Sequence, residues 1–396
     1  MNHYKKIILK PKKEQSLERF HPWVFSGAIA HLDDNITEGD VVDVYAHDNT
    51  FLGVGHYQIG SIAVRILSFQ QRELDSVFFK EKLNEAYQMR CSLQLVRSDN
   101  NTYRLVHGEG DMLAGLIIDI YGTLAVVQAH SIGMHMSKEV IAVALKEVLG
   151  ESLKHIYYKS ESTLPFKAPI EFEDFFLFGG PDIEKIAIEN NLKFQIDWEK
   201  GQKTGFFVDQ RENRSLLERY SQGRNVLNMF CYTGGFSVYA LRGGAQSVMG
   251  VDSSSKAVML ADENVKLNFG DDDRYGSSSD DAFKFLKAVS KDQYDLIVLD
   301  PPAFAKHRGA VRNALQGYKK LNAAAFEKIA SGGIVFTFSC SQVISREQFR
   351  LAVFSAAAIS GRKVQILAQL SQPADHPVNI YHPEGEYLKG LVLHVS

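Results

Sequence analysis

Residues 294–302 read YDLIVLDPP, and residues 334–341 read IVFTFSCS. Each begins with an apolar run of strand length and ends on a residue able to do chemistry, Asp300 in the first and Cys340 in the second. If the two runs are neighbouring parallel strands, carboxylate and thiol meet at one cleft, because ligands in open α/β sheets sit beyond the carboxyl ends of the strands.

Working outward, the chain from about Lys203 alternates strand and helix, the pattern of a parallel sheet with right-handed crossovers. NVLNMF, SVMGVD, YDLIVLD, GGIVFTFS and KVQILAQL are the strand candidates, with a weak one near Arg274 to Ser279 and YLKGLVLHVS as an edge strand. Helices are expected at about 235–242, 255–267, 282–289, 317–329 and 346–359. The expected fold is therefore α/β, a doubly wound sheet. Upstream, from Tyr4 to about Phe69, short β-rich runs (KIILK, DVVDVYA, FLGVGHYQ, SIAVRILSF) broken by Gly, Asn and Asp mark a small barrel. Between them lies an α+β region with helical spacing at Val77, Phe78, Leu83 and Met89, strands LAGLIIDIYG and TLAVVQAH, and a helix from Ser137 to Leu149 stopped by Gly150. The expected division is 1–70, 71–190 and 191–396.

Composition agrees with a modular chain. At about 150 residues per domain, 396 residues suggest two or three domains. Apolar residues make up 45% and charged ones 23%, which suits a folded protein rather than a disordered one. A net charge of −3 argues against coating nucleic acid by bulk electrostatics. Local clusters exist all the same: Lys5, Lys6, Lys10, Lys12, Lys13 and Arg19 at the start, and Lys306, His307, Arg308, Arg312, Lys319 and Lys320 after the DPP turn. Either is a solvated face or a phosphate contact, and nearness to Asp300 favours phosphate contact for the second. No apolar stretch approaches the roughly 20 residues of a membrane span, and MNHYKKIILKPKK lacks a signal-peptide core, so a cytoplasmic location is expected. Cys91, Cys231 and Cys340 show no CxxC spacing, so no disulfide framework, zinc knuckle or other metal is expected.

The turn NMFCYTGGFSVYA spans Asn228 to Ala240, where Gly234 and Gly235 let the backbone approach a ligand before a helix starts. The dinucleotide fingerprint GxGxxG is absent, which lowers the case for a nicotinamide or flavin enzyme. Asp252 ends the next strand, where a carboxylate can accept both ribose hydroxyls of an adenosine; capping a helix together with Ser253 to Ser255 is the competing reading. Asp281 faces the same choice between an adenine amino group and a cap. After Asp300, Pro301 and Pro302 have no N–H, so the turn offers acceptors and few donors, a match for an amino group or a protonated ring nitrogen. Phe304 either stacks on a base or fills the core. Cys340, at a strand end beside this turn, can attack C6 of cytosine or uracil and make C5 electron-rich enough to take a methyl group. Cys231 faces cofactor or core, and Cys91 reads as structural.

Taken together, RFHPWVFSGAI, KTGFFVDQRENR, NMFCYTGGFSVYA, VDSS, DPPAF, FTFSCS and ADHPVNIYHPEGEYLKG resemble the bacterial 23S ribosomal RNA cytosine-C5 methyltransferases that carry a PUA domain. The resemblance runs the length of the chain. It implies a class I methyltransferase domain, a PUA β-barrel that binds RNA, and an α+β linking domain. It implies an S-adenosyl-L-methionine site from Asp209, Gln210, Arg211, the turn Asn228 to Gly235 (Phe230, Tyr232 and Thr233 included), Asp252, Ser253, Asp281 and Asp300. Cys340 matches the nucleophile, while Pro301, Pro302, Phe304, Lys306 and Arg308 fall to the substrate side. Many RNA cytosine-C5 methyltransferases have a second cysteine after the proline of this turn, but Ala303 stands here, leaving product release to water or Asp300. The implied partner is 23S ribosomal RNA or a large-subunit assembly intermediate, with no membrane, and with a homodimer left open. Two other readings stand beside it: methylation of an exocyclic amine (guanine N2 or adenine N6), which needs no Cys340, and a non-catalytic RNA-binding or ribosome-assembly factor.

Overall fold

The computed structural model describes residues 4–165 and 173–396; the first three residues of the expected barrel and 166–172 of the expected middle region lie outside the described residues. The chain forms two compact units: Met1–Asn191 with Ile196–Val208 and Ala374–Gly385, and Leu192–Gln195 with Asp209–Pro373 and Glu386–Ser396.

The first unit opens with β1 (Lys5–Leu9), α1 (Gln15–Glu18), β2 (Trp23–Phe25), β3 (Ile29–Leu32), β4 (Val41–Tyr45), β5 (Phe51–Tyr57) and β6 (Ile62–Ser68). The six strands form one sheet in the order β2-β6-β5-β4-β1-β3. Period-2 alternation sends Ile7, Leu9, Val42, Val44, Val64 and Ile66 to a shared core. Then come α2 (Ser76–Ser92), β7 (Thr102–His107), β8 (Leu116–Tyr121), β9 (Leu124–Ala129), α3 (Ile132–Met136), α4 (Lys138–Leu149), β10 (His155–Tyr158), β11 (Phe175–Phe178) and β12 (Ile186–Glu189). Here the sheet order is β11-β10-β9-β8-β7. Phe78, Phe79 and Leu83 of α2 share its core with Ile141 and Leu145 of α4 and with Leu116, Ile118 and Ile156 of the strands. Asp75 starts α2 by accepting the Phe78 N–H at 3.0 Å. The returning segment Ala374–Gly385 is bound to this unit through buried Arg90, which donates to the Asp375 carbonyl and to Asp111 Oδ2, both at 2.8 Å.

The second unit contains β13 (Leu192–Gln195), α5 (Arg211–Tyr220), β14 (Asn225–Met229), α6 (Gly235–Arg242), β15 (Ser247–Asp252), α7 (Ser255–Phe269), β16 (Tyr275–Ser279), α8 (Ala282–Ala288), β17 (Leu296–Leu299), α9 (Val311–Lys328), β18 (Gly333–Ser339), α10 (Arg346–Ser360), β19 (Val364–Leu370) and β20 (Lys389–Val395). Its seven-stranded sheet runs β16-β15-β14-β17-β18-β20-β19. β14, β15, β16, β17 and β18 pair in parallel, while β20 is antiparallel to both β18 and β19. The strand order reverses at β14, so the carboxyl ends of β14 and its neighbours open the crevice where a ligand of such a sheet binds.

The weak strand near Arg274 is present as β16. The last strand, expected at the edge, is instead interior: β20 lies between β18 and β19, and six of its seven residues are buried. The edge belongs to β19, whose Ile366 and Leu367 are exposed. α9 begins at Val311 rather than near Gly317, because Ala314, Tyr318 and Leu321 extend one buried stripe backwards.

Candidate active site

Three chain reversals meet the crevice: those after β14, β17 and β18. The first is conformationally expensive. Phe230, Tyr232 and Gly234 have φ of 59°, 46° and 77°, and positive φ in aromatic residues costs on the order of 1–3 kcal/mol each. The surroundings hold it in place: Tyr232 N–H donates to Asp252 Oδ2 at 3.0 Å, Cys231 N–H to the Val251 carbonyl at 2.9 Å, and Gly234 N–H to the Cys231 carbonyl at 2.8 Å. A Cβ on Gly234 would sit 2.9 Å from Ala261 Cβ, so turn and α7 can approach this closely only with glycine there. Asn228 is buried, donates to Ser237 Oγ at 2.9 Å, and keeps Oδ1 without a partner. Thr233 is buried; its carbonyl accepts from Asn264 Nδ2 at 2.9 Å.

Asp252 Oδ1 accepts the Ser254 N–H at 2.9 Å, but the cap of α7 is Ser254, whose side chain accepts the Ala257 N–H. Asp252 thus ties the β14 turn to its own strand end, with acceptor capacity left on both oxygens. Ser253 beside it is exposed. Asp281 is exposed and caps α8 by accepting the Lys284 N–H at 2.8 Å; its neighbour Asp280 donates its N–H to the Asp252 carbonyl at 3.1 Å.

Asp300, half-buried, accepts from Gln210 Nε2 at 3.0 Å, and Gln210 Oε1 in turn accepts from Asn213 Nδ2 at 2.6 Å. Asp209 Oδ2 accepts the Tyr387 hydroxyl at 2.7 Å. Arg211, at the start of α5, is buried with Nε 3.3 Å from Glu212 Oε1. The segment before α5 therefore reaches the turn after β17 directly, through Gln210.

β17 and β18 are paired with Leu299 opposite Thr337. Cys340 Sγ lies 3.9 Å from the Pro301 carbonyl oxygen, and the residue is partly accessible. Pro301 is buried and Pro302 exposed. Phe304 packs on Tyr318 at 4.7 Å between ring centroids and over Gly317, so part of its ring is taken up by α9. Lys306 and Arg308 are exposed beyond it. Cys231, by contrast, is 4% exposed, and burial pushes its thiol well above its ordinary range.

Lys389 was not among the sequence candidates, because a lone lysine in YLKG reads as a solvated strand start. It pairs with Ser339 across β18 and β20, is only 3% exposed, and donates from Nζ to the Ser341 carbonyl at 2.8 Å. Burial draws its ammonium down to about 8, opposed by the favourable field of Cys340 and then Glu386. Gln210 and Lys389 both lie in quoted motifs; that one bonds Asp300 and the other the segment after Cys340 required the fold.

S-adenosylmethionine presents an ammonium, ribose hydroxyls and an adenine amino group, all donors, plus a cationic sulfonium. The strand ends answer with acceptors: Asp252, Asp280, Asp300 and the carbonyls of the proline turn. Fold and acceptor set together define a class I S-adenosylmethionine-dependent methyltransferase. Residues 173–379 match the S-adenosylmethionine-dependent methyltransferase family and 7–69 the PUA-like domain. Ribosomal RNA large subunit methyltransferase I of Pseudoalteromonas atlantica is 41% identical over 98% of this chain and 99% of its own length; that of Aeromonas hydrophila is 39% identical over 98% of each. Among solved structures, a candidate SAM-dependent methyltransferase from Streptococcus mutans superposes with a TM-score of 0.83 over 98% of this chain and all of its own, at 23% identity. A candidate methyltransferase complexed with SAH gives 0.84, also at 23% identity over 98% of this chain and 100% of its own. The chain belongs to the family of ribosomal RNA large subunit methyltransferase I, and S-adenosylmethionine is its methyl donor. Among the described residues, no helix is long and apolar enough to cross a membrane.

Proposed function

We propose that this protein methylates C5 of a cytosine in 23S ribosomal RNA, with Cys340 as the nucleophile. The observation that carries this reading is the convergence of a partly accessible thiol and the Asp300-Pro301 turn at the ends of two paired strands, 3.9 Å apart at Cys340 Sγ and the Pro301 oxygen. When bound, S-adenosylmethionine would supply an electrophilic methyl group, with the electrons of the methyl–sulfur bond staying on sulfur in the S-adenosylhomocysteine product. Asp209, Gln210, Arg211, the turn Asn228 to Gly235, Asp252, Ser253, Asp281 and Asp300 are the residues assigned to hold it.

The chemistry of this chain's own groups follows from their positions. The Cys340 thiolate adds to C6 of the cytosine, and the displaced ring electrons make C5 the nucleophile that takes the methyl. The carbonyls beside Asp300 accept from the cytosine amino group, Asp300 in its protonated form donates to N3 as the thiolate adds, and the Gln210 bond keeps its carboxyl group oriented. The buried Lys389 ammonium favours the thiolate over the thiol. When a base, water or Asp300, takes the C5 proton, its bonding electrons restore the ring double bond and expel the Cys340 thiolate from C6. Reaching C6 requires an unstacked cytosine, so the base is flipped or presented in a single strand. The PUA-like module at 1–70, the linking part at 71–190 and the exposed Lys306 and Arg308 are assigned to the RNA backbone, where contacts position rather than specify. A catalytic part at 191–396 completes the division, with the cytoplasm as the setting.

Mass spectrometry of ribosomal RNA from cells lacking the gene tests this. One 5-methylcytosine should disappear from 23S RNA and return with the wild-type gene but not with Cys340→Ala. Return of the methyl group with Cys340→Ala would favour the exocyclic-amine reaction, and an unchanged methylation map would favour a non-catalytic role.

A further inference from the structure

The β17–β18 ladder stops at Leu299 opposite Thr337, and the β18–β20 ladder at Ser339 opposite Lys389, so both reactive segments, 300–305 and 340–341, run on beyond the paired strands. A set of buried hydroxyls takes over there. Tyr318 of α9, Ser339 and Ser341 are each 0% exposed. The Ser339 hydroxyl donates to the Tyr318 oxygen at 3.0 Å, and the Tyr318 and Ser341 oxygens are 3.1 Å apart. Ser341 Oγ also accepts the Ala305 N–H at 3.2 Å, which joins the segment of Cys340 to the proline turn.

Packing alone does not call for these groups. The Tyr318 ring lies against Phe304 at 4.7 Å and Phe349 at 5.3 Å between centroids, contacts that a phenylalanine would keep. Gathering hydroxyls in a buried place costs desolvation that their mutual bonds must offset, and a bonded network of this kind fixes one geometry. What it fixes here is narrow. The residues on either side of Cys340 both reach the same phenol oxygen, and the thiol between them has its Sγ 3.9 Å from the Pro301 carbonyl oxygen. Burial raises Tyr318 above its ordinary range, so the phenol stays a protonated hydroxyl at neutral pH.

We infer that Tyr318 is a positioning residue for the methyl transfer proposed above, with Cys340 as its nucleophile: through Ser339 and Ser341 the Tyr318 hydroxyl sets the thiol's place against the Asp300-Pro301 turn. Being wholly buried, it acts through these neighbours. A displacement of about 1 Å at a reacting group costs on the order of a hundredfold in rate, so one hydroxyl beneath the site can govern turnover and leave both binding steps alone. The two serines are plain in FSCSQ, but their common partner lies on a helix 21 residues before the nearer one.

The test assays full-length Tyr318→Phe, Ser341→Ala, the double variant and Cys340→Ala with labelled S-adenosylmethionine. The substrate is ribosomal RNA from cells lacking the gene, offered both free and in large-subunit particles. Tyr318→Phe should lower kcat about ten- to a hundredfold, with KM for RNA and the calorimetric Kd for S-adenosylmethionine within about threefold of wild type and an unchanged circular dichroism spectrum. A residue that only steadied the core would lower the melting temperature and leave kcat alone. Ser341→Ala should show the same split, and the double variant should be no slower than the slower single one, the mark of a shared network. Wild-type kcat in Tyr318→Phe, a loss confined to KM, or losses that multiply in the double variant would overturn the inference, while an inactive Cys340→Ala would leave the nucleophile standing. An active Cys340→Ala would remove both. If Tyr318→Phe does not fold, Ser339→Ala and Ser341→Ala decide by the same criteria.

Discussion

Two cysteines follow two parallel strands of the same mixed sheet, and they have opposite surroundings. Cys231 lies in the turn after β14, sealed under the Val251 strand end, with its sulfur 3.4 Å from where a Cβ on Gly250 would be. Cys340 lies just after β18, partly accessible, beside a carbonyl of the proline turn and a buried lysine. Their local sequences, MFCYT and FSCSQ, do not announce the difference. What separates them is backbone shape: the β14 turn bends back through three positive φ angles and buries its thiol, whereas β18 runs straight out to the crevice.

The largest expected effect comes from exchanging the two thiols' fates. Cys340→Ala should lower methyl transfer by on the order of a thousandfold or more, whereas Cys231→Ala should leave kcat within about threefold and reduce stability by about 1 kcal/mol. Steady-state kinetics and denaturant unfolding on both variants check this, and comparable losses of activity would erase the distinction. Next comes the turn itself. Gly234→Ala adds a Cβ at φ +77° against Ala261, and should destabilise the second unit by about 1–3 kcal/mol and weaken S-adenosylmethionine binding in calorimetry.

A smaller effect tests the lysine. At pH 7, Lys389→Met should slow alkylation of Cys340 by iodoacetamide several-fold, and Lys389→Arg should restore part of the rate; mass spectrometry of the labelled peptide separates Cys340 from Cys231 and Cys91. The sign of the pH dependence follows from the lysine's lowered value: its charge is present below about 8 and lost above it. The gap between wild type and Lys389→Met should therefore close as pH rises through that value. A gap that stays constant to pH 10 would detach Lys389 from the thiol. The smallest effect is at Gln210: Gln210→Ala removes one hydrogen bond to Asp300 and should cost about 0.5–1.5 kcal/mol of transition-state stabilisation, seen as a fewfold drop in kcat/KM.

Much of this arrangement could be read before folding. YDLIVLD and IVFTFSCS read as buried strands because unbroken apolar runs have no solvent face to satisfy, and the approach of Cys340 to the turn after Asp300 follows from their parallel adjacency. The interior position of β20 was harder. Its sequence, KGLVLHV, opens with a charge and a glycine, both common at exposed edges, and nothing local says that Lys389 will be covered by neighbours on either side. Phe304 illustrates the same limit in reverse: DPPAF suggests a base-stacking ring, and only the start of α9, with Gly317 beneath it, reveals how much of that ring is already packed. Side chains whose partners are distant in sequence, such as Gln210 with Asp300 or Asp209 with Tyr387, carry no local signal.

The insertion of β20 between β18 and β19 makes one short segment hold two others in place. β18 and β19 do not pair with each other, so that side of the sheet is closed only when residues 389–395 lie between them. The same strand carries Lys389, whose charge interacts with Cys340, so closing the sheet and setting a cation near that thiol depend on one segment. Loss of residues 389–395 would therefore unpair two strands at once and remove the cation near Cys340.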